Sequence, residues 1–156
     1  MKAKAFLKPA VLAVSCVFVV CFAYFCLYIP YAQLRAFRHV EVREIEGSWE
    51  LVGRTSDQVI LKGLLEIHNP TSTTVRIDGA EFTIYGVLRG ERYYIGEGEI
   101  KEEVTIPPEG SALVTVYNRL EIYKPWDYPE IEFVGTAYRH TALGILKTRF
   151  DILWQP

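Results

Sequence analysis

The chain has 156 residues, with 17 basic and 19 acidic side chains and half of its residues apolar, which leaves room for one domain. No Asp or Glu precedes Glu41, and residues 9–32 carry no charge at all. Without Lys2, Lys4, Lys8, Arg35 and Arg38, 12 basic residues face 19 acidic ones, a balance of −7. Such a domain is a poor nucleic-acid binder and is repelled by anionic headgroups.

In chain order, residues 1–8 are a short basic N-terminus and residues 9–32, "PAVLAVSCVFVVCFAYFCLYIPYA", are predicted as a transmembrane helix. As a helix this run is about 36 Å long and crosses a bilayer core with some tilt. Tyr24, Tyr28 and Tyr31 cluster at its far end, where amphipathic rings favour the interface. A cleaved signal peptide is the rival reading, with Cys21 and Ala23 as the small pair before a cut. The apolar run continues through Tyr24, Phe25, Leu27 and Ile29, so an uncleaved signal-anchor is favoured. "AVSC", ending at Cys16, loosely resembles a lipoprotein box but has too little apolar chain before it. Cys16, Cys21 and Cys26 are the only cysteines, and a five-residue spacing turns them to different sides of a helix. They read as small packing or lipid-facing residues, and no disulfide framework exists. Basic residues flank the span on both sides, with a slight excess before it. The expected orientation is N-terminus inside and domain outside, at the cell membrane. "NPT" at Asn69 is no glycosylation sequon, because Pro occupies the forbidden place.

Residues 33–39 are expected to continue the helix and then form a short stalk. From residue 40 to 156 the pattern changes to period two. Val59, Leu61, Leu65 and Ile67 share one face, Val75 and Ile77 another. Phe82 and Ile84 are in phase with each other, so a bulge or bend is predicted at Asp78-Gly79. Val114, Val116, Leu120 and Ile122 align, as do Ile131, Phe133 and Ala137, and then Leu146, Phe150, Ile152 and Trp154. Turn signals lie around Gly90, Pro107-Pro108 and Pro125 to Pro129. Seven or eight short strands without an amphipathic helix predict an all-β, antiparallel β-sandwich behind one N-terminal transmembrane helix.

The stretch "LLEIHNPTSTTVRI" places Asn69-Pro70 between two alternating runs. Pro cannot donate to a ladder, so it closes one strand, and the hydroxyls of "TSTT" serve a turn before Val75. Taken with "GAEFTIYGV", "YYIGEGE" and "VTIPPEGSALVTV", this order resembles the group-2 late embryogenesis abundant (LEA) family, the water-stress and hypersensitive-response (WHy) domain. The corresponding elements are Asn69-Pro70, Phe82 and Tyr85, Gly96 and Gly98, and Ile106 to Gly110, within residues 40–153. The resemblance implies a sandwich of fibronectin type III shape, a stress-response role, and membership of a group with both soluble and single-span members. It carries over no catalytic residues. Through anchored relatives that handle lipids it also implies a groove able to take a lipid tail.

Chemistry is hard to find in the residues themselves. His39, His68 and His140 are isolated, and the serines lack a nucleophile-elbow context. "IGEGE" has no following helix to make it a phosphate loop; Gly96 and Gly98 instead suggest a bulge or a close approach. Glu97, Glu99, Glu102 and Glu103 could hold calcium, but Lys101 lies among them and a charge-protected edge is the better reading. The domain lacks Cys and Met and has only Asn69 and Asn118 as asparagines, the composition of a thermophile protein.

The expectation is therefore a non-enzymatic, membrane-anchored binding or stress-protective domain without cofactor or metal. Its partner would be a lipid or a membrane protein. The candidate binding loops are Asn69, Pro70, Thr71 and Ser72 at one corner and Lys124, Trp126 and Tyr128 in "YKPWDYP", the latter also readable as a cap over one open end. The alternative is a structural subunit of a membrane or envelope complex, assembled through a helix whose Ala13, Ser15, Cys16 and Ala23 allow close approach.

Overall fold

The structure is a computed structural model that describes residues 4–121 and 128–155, with side chains described from residue 13 onward. The apolar N-terminus forms helix α1 (Lys4–Ala23), a π-helical turn (Tyr24–Tyr28), helix α2 (Ile29–Ala36) and one 3-10 turn (Phe37–His39). The π turn falls where Pro30, lacking an N–H, interrupts the ladder, and the Ile29 N–H reaches back to the Tyr24 carbonyl. Ala13–His39 is long and apolar enough to cross a membrane, and Val14, Phe18, Phe25 and Tyr28 are exposed along it.

The segment read as a stalk is folded into the domain. Leu34, Ala36, Phe37 and Val40 are buried, and the Phe37 ring meets Phe150 edge-on at 5.1 Å between centroids. Arg139 donates to the Gln33 side chain and to the Pro30 carbonyl. Burial pushes the Arg139 guanidinium below its ordinary value, and neighbouring Arg76 pushes the same way. Helix and domain are therefore docked through an apolar plug with a polar collar.

Ten strands follow among the described residues: β1 (Glu41–Glu44), β2 (Glu50–Arg54), β3 (Gln58–His68), β4 (Val75–Ile77), β5 (Gly79–Leu88), β6 (Glu91–Ile100), β7 (Val104–Ile106), β8 (Ser111–Glu121), β9 (Glu130–Thr141) and β10 (Gly144–Trp154). Eight form one antiparallel sheet in the order β1-β3-β8-β6-β5-β9-β10, with β2 also paired to β3; β4 and β7 form a separate ribbon. The domain is mostly β and antiparallel, as the alternation predicts. Where two stacked sheets were expected, hydrogen bonding runs continuously through one sheet that curls into an open half-barrel. The sheet's two ends, β1 and β10, flank a single surface groove. Strand twist supplies the curl, helped by a bulge that leaves Ile95 as the extra residue between Tyr94 and Gly96. Gly96 and Gly98 let the strands approach: a Cβ on Gly96 would lie 2.1 Å from the Arg119 carbonyl oxygen.

Most positions assigned to the inner face are buried, including Leu65, Ile67, Val75, Ile77, Phe82, Ile84, Val114, Val116, Ile131, Phe133, Ala137, Phe150 and Ile152. The phase change at Asp78-Gly79 is a change of sheet: the chain leaves the β4–β7 ribbon, and the Asp78 N–H bonds the Tyr138 carbonyl at 2.8 Å. The ladders Glu41–His68–Ser111 and Gly79–Tyr138 define the end at which the helix enters, hereafter proximal. Gly86–Ile131 and Leu88–Glu91 lie toward the distal end.

Candidate functional site

Inside the curl, between the plug and the distal end, lies a cavity of about 290 Å³. Its wall is built from alternate residues of five strands: Leu61 and Leu65 from β3, Ile84 from β5, Ile95 from β6, Asn118 and Leu120 from β8, and Ile131 and Phe133 from β9. Trp49 and Trp154 complete it. Trp49 owes its place to Gly63, whose missing side chain leaves room for the indole; a Cβ there would stand 2.3 Å from the ring. The Trp49 indole N–H donates to Glu44 at 2.5 Å, and Ser48 bonds both backbone groups of Leu64, pinning the loop to β3. Glu44 and Trp154 line both this cavity and the β1–β10 groove. The seam between the sheet's two edges therefore leads toward the cavity.

One polar atom is out of keeping with this wall. Asn118 is 6% exposed, and its Oδ1 has no hydrogen-bond partner. A buried carbonyl left unpaired costs about 1–3 kcal/mol. The cavity thus offers apolar surface with few polar groups, Asn118 in the wall and Glu44 toward the seam, the usual pattern of a small-ligand site, at the lower edge of the ~300–1,000 Å³ typical of such sites.

The sequence-predicted candidates fall elsewhere. Asn69 is completely buried at the proximal end. Its Nδ2 donates to the carbonyls of Thr73 (2.9 Å), Pro107 (3.0 Å) and, more distantly, Ile106 (3.4 Å). Its Oδ1 accepts from the Thr71 N–H and hydroxyl. Backbone bonds Asn69–Gly110 and Glu109–Thr71 complete a knot that ties the β3–β4 corner to the β7–β8 turn. Pro70 and Ser72 are exposed on its rim. Lys124 and Trp126 lie outside the described residues. Tyr128 stands over Gly86 on the inner face and stacks on Tyr93 at 5.8 Å, covering part of the distal end.

The four glutamates considered for calcium do not converge. Glu99 pairs with Lys101 at 2.9 Å, Glu103 pairs with Arg76 at 2.7 Å, and Glu102 accepts the Thr115 N–H at 2.7 Å. Among the described residues, no group of three His, Cys, Asp or Glu is placed to hold a metal ion. His68 reaches Ser111 at 3.2 Å, and His140 sits 3.0 Å from Asp78. On the outer face, Arg92 donates to Glu132 at 2.5 Å with Asp151 beside them. Burial raises the Glu132 carboxyl above its ordinary range, with Asp151 adding to the rise and Arg92 opposing it.

The resemblance implies a groove for a lipid tail, but no pattern in the residues marks the cavity's wall. Its one local signal is Gly63 inside the apolar strand "VILKGLLEI", since a strand glycine marks a close approach; the partner, Trp49, is 14 residues away.

No family model matches the chain, and no curated protein matches it. Similar solved structures include a crystal structure of a protein from Archaeoglobus fulgidus, 16% identical, covering 75% of this chain and 94% of that one at a TM-score of 0.36. A structural-genomics target solved by X-ray is 20% identical over 76% and 81% of the two chains, with a TM-score of 0.37. The solution structure of a protein described as late embryogenesis abundant is 11% identical over 94% and 87%, with a TM-score of 0.37. Likenesses this distant bear on neither activity nor ligand.

Proposed function

We propose that this protein is a non-enzymatic binding domain, anchored by its N-terminal helix on the outer side of the cell membrane, that takes the acyl portion of a lipid into the curled sheet. The observation that carries this reading is the cavity, walled by Leu61, Ile95, Leu120, Phe133, Trp49 and Trp154 and reached along the β1–β10 seam. An apolar chain gains free energy from each methylene it withdraws from water. Asn118 at the wall supplies one polar group for a headgroup-proximal atom. The sandwich shape expected of the domain serves the same end, because opposing inner faces of the curled sheet enclose the ligand as two layers would. The exposed rim at Pro70 and Ser72 is the surface offered to a protein partner, with the sequence segment "YKPWDYP" as the second candidate.

Native mass spectrometry of the full-length protein, released gently from its own membranes, tests the reading. The wild type should carry a lipid-sized mass. Leu120→Trp, which fills the cavity, should lower its occupancy, while Leu113→Trp on the exposed face should not. A wild type with no lipid mass, or equal occupancy in both variants, sinks the cavity reading. A protein-sized mass that disappears when the helix is replaced by an unrelated span would favour the structural-subunit alternative.

A further inference from the structure

The domain is acidic overall, yet residues 133–150 contain no Asp or Glu while carrying Arg139, His140, Lys147 and Arg149. These residues are the facing halves of β9 and β10, joined by a turn at Ala142–Leu143. Leu143 and Ile145 at this tip are 54% and 56% exposed. Of the charged neighbours, His140 faces Asp78, and Arg139 turns to the helix at Gln33 and Pro30. Lys147 and Arg149 are exposed.

Two contacts fix how the helix lies against this hairpin. Pro30 and Gln33 meet Arg139, whose ladder partner is Leu146, and Phe37 meets Phe150. From Pro30 to Phe37 the helix climbs about 10 Å; from Leu146 to Phe150 the strand climbs about 13 Å. The two therefore run side by side in the same direction. Continued the other way, three strand residues from Leu146 to Leu143 span about 10 Å, the rise of about six or seven helical residues. That brings the tip level with Tyr24–Tyr28, the tyrosines that favour the membrane interface. The helix face bearing Cys26 and Ile29 is half-buried, whereas Phe25, Leu27 and Tyr28 on its other sides are exposed.

We infer that the β9–β10 tip is a second membrane contact. Leu143 and Ile145 insert into the interface of the bilayer that the protein's own helix crosses, with Lys147, about 13 Å up the strand, reaching back toward the headgroups and Arg149 above them. An exposed apolar pair on an acid-free hairpin, fixed beside the anchor, matches a lipid surface in apolarity, charge and position. The inference rests on the proposed span of the helix, so the test monitors that span separately.

Full-length protein is reconstituted into phosphatidylcholine vesicles containing phosphatidylglycerol, with a single NBD fluorophore on a cysteine. Three sites are compared, each without the other cysteines: native Cys21 in the helix, Leu143→Cys at the tip, and Val52→Cys on β2, which is 54% exposed and far from the helix. The expected result is that doxyl-labelled lipid quenches sites 21 and 143 but not 52. Reduction by aqueous dithionite should be several-fold slower at 143 than at 52. Quenching at 21 with none at 143 overturns the inference and leaves the anchor intact. Absence of quenching at 21 overturns the anchor itself. A shielded site 143 that lipid quenchers do not reach places a protein there instead, and also overturns it. Position 143 is an exposed turn, so the label leaves folding undisturbed.

Discussion

Replacing Asn69 isolates how the proximal end is held. Asn69→Ala removes four bonds: the Thr73 and Pro107 carbonyls each lose one donor, keeping the Thr71 hydroxyl and the Gly110 N–H respectively, the Thr71 N–H loses its acceptor, and the Thr71 hydroxyl is left with the Thr73 carbonyl. At about 1 kcal/mol net for each of these four bonds, the loss is about 4 kcal/mol. Partial rehydration at the half-exposed Thr71 and Thr73 brings the expectation to about 3 kcal/mol, or roughly 10 °C in Tm for a domain of this size. Asn69→Asp is the discriminating variant. If Asn69 served only as an Asx-turn acceptor for Thr71, Asp would do as well. With an oxygen in place of Nδ2, Asp instead aims negative charge at three carbonyls and should be at least as damaging as Ala. Denaturant unfolding of the full chain in detergent, followed by tryptophan emission, measures both. An Asn69→Asp protein within about 1 kcal/mol of wild type would refute the knot and return the corner to an ordinary turn.

Three further outcomes follow from the packing. Phe37→Ala should cost about 3–5 kcal/mol and expose the segment around residues 33–41 to protease; an unchanged cleavage pattern would mean that the plug does not hold the helix. Gly63→Ala should drive the Trp49 ring from its seat and break its bond to Glu44, seen as a red shift of Trp49 emission in a Trp126→Phe, Trp154→Phe background; unchanged emission would place the indole elsewhere. Because the folded state holds a proton on Glu132 more tightly than the unfolded chain does, the stability this group contributes is present below the ordinary carboxylate range and falls as pH rises through its raised value. Glu132→Gln should therefore flatten the Tm profile through mildly acidic pH and be no less stable than wild type at neutral pH; a clear loss at neutral pH would contradict this.

Much of the sheet was legible because period two needs no knowledge of partners. Leu65 and Ile67, or Phe82 and Ile84, declare a buried face from their spacing alone. Pairings are another matter. Val75–Ile77 finds Val104–Ile106 across two intervening strands, and no local pattern announces that. Leu34 and Phe37 look like the tail of an apolar span, since the features that make a residue enter lipid also make it enter a core. Asn69 was readable as a turn residue, but two of its three carbonyl partners, those of Ile106 and Pro107, lie almost forty residues away. The cavity is harder still, because it is the space left where five strands and two tryptophans fail to fill the curl. The hairpin's lack of acids was present in the sequence from the start. The hairpin's position beside the helix depends on Arg139 reaching Gln33 and Pro30, a contact over a hundred residues apart in the chain.

The docked plug turns the anchor and the domain into one lever. Strands of eleven residues make the domain about 36 Å tall, and the buried Leu34, Ala36 and Phe37 join it directly to the apolar helix. A change of about 20° in helix tilt, within the range by which spans adjust to bilayer thickness, would carry the distal rim roughly 12 Å sideways. With the helix spanning the bilayer as proposed, the thickness of the surrounding membrane would set where the far end of this domain points, with no ligand or hinge involved.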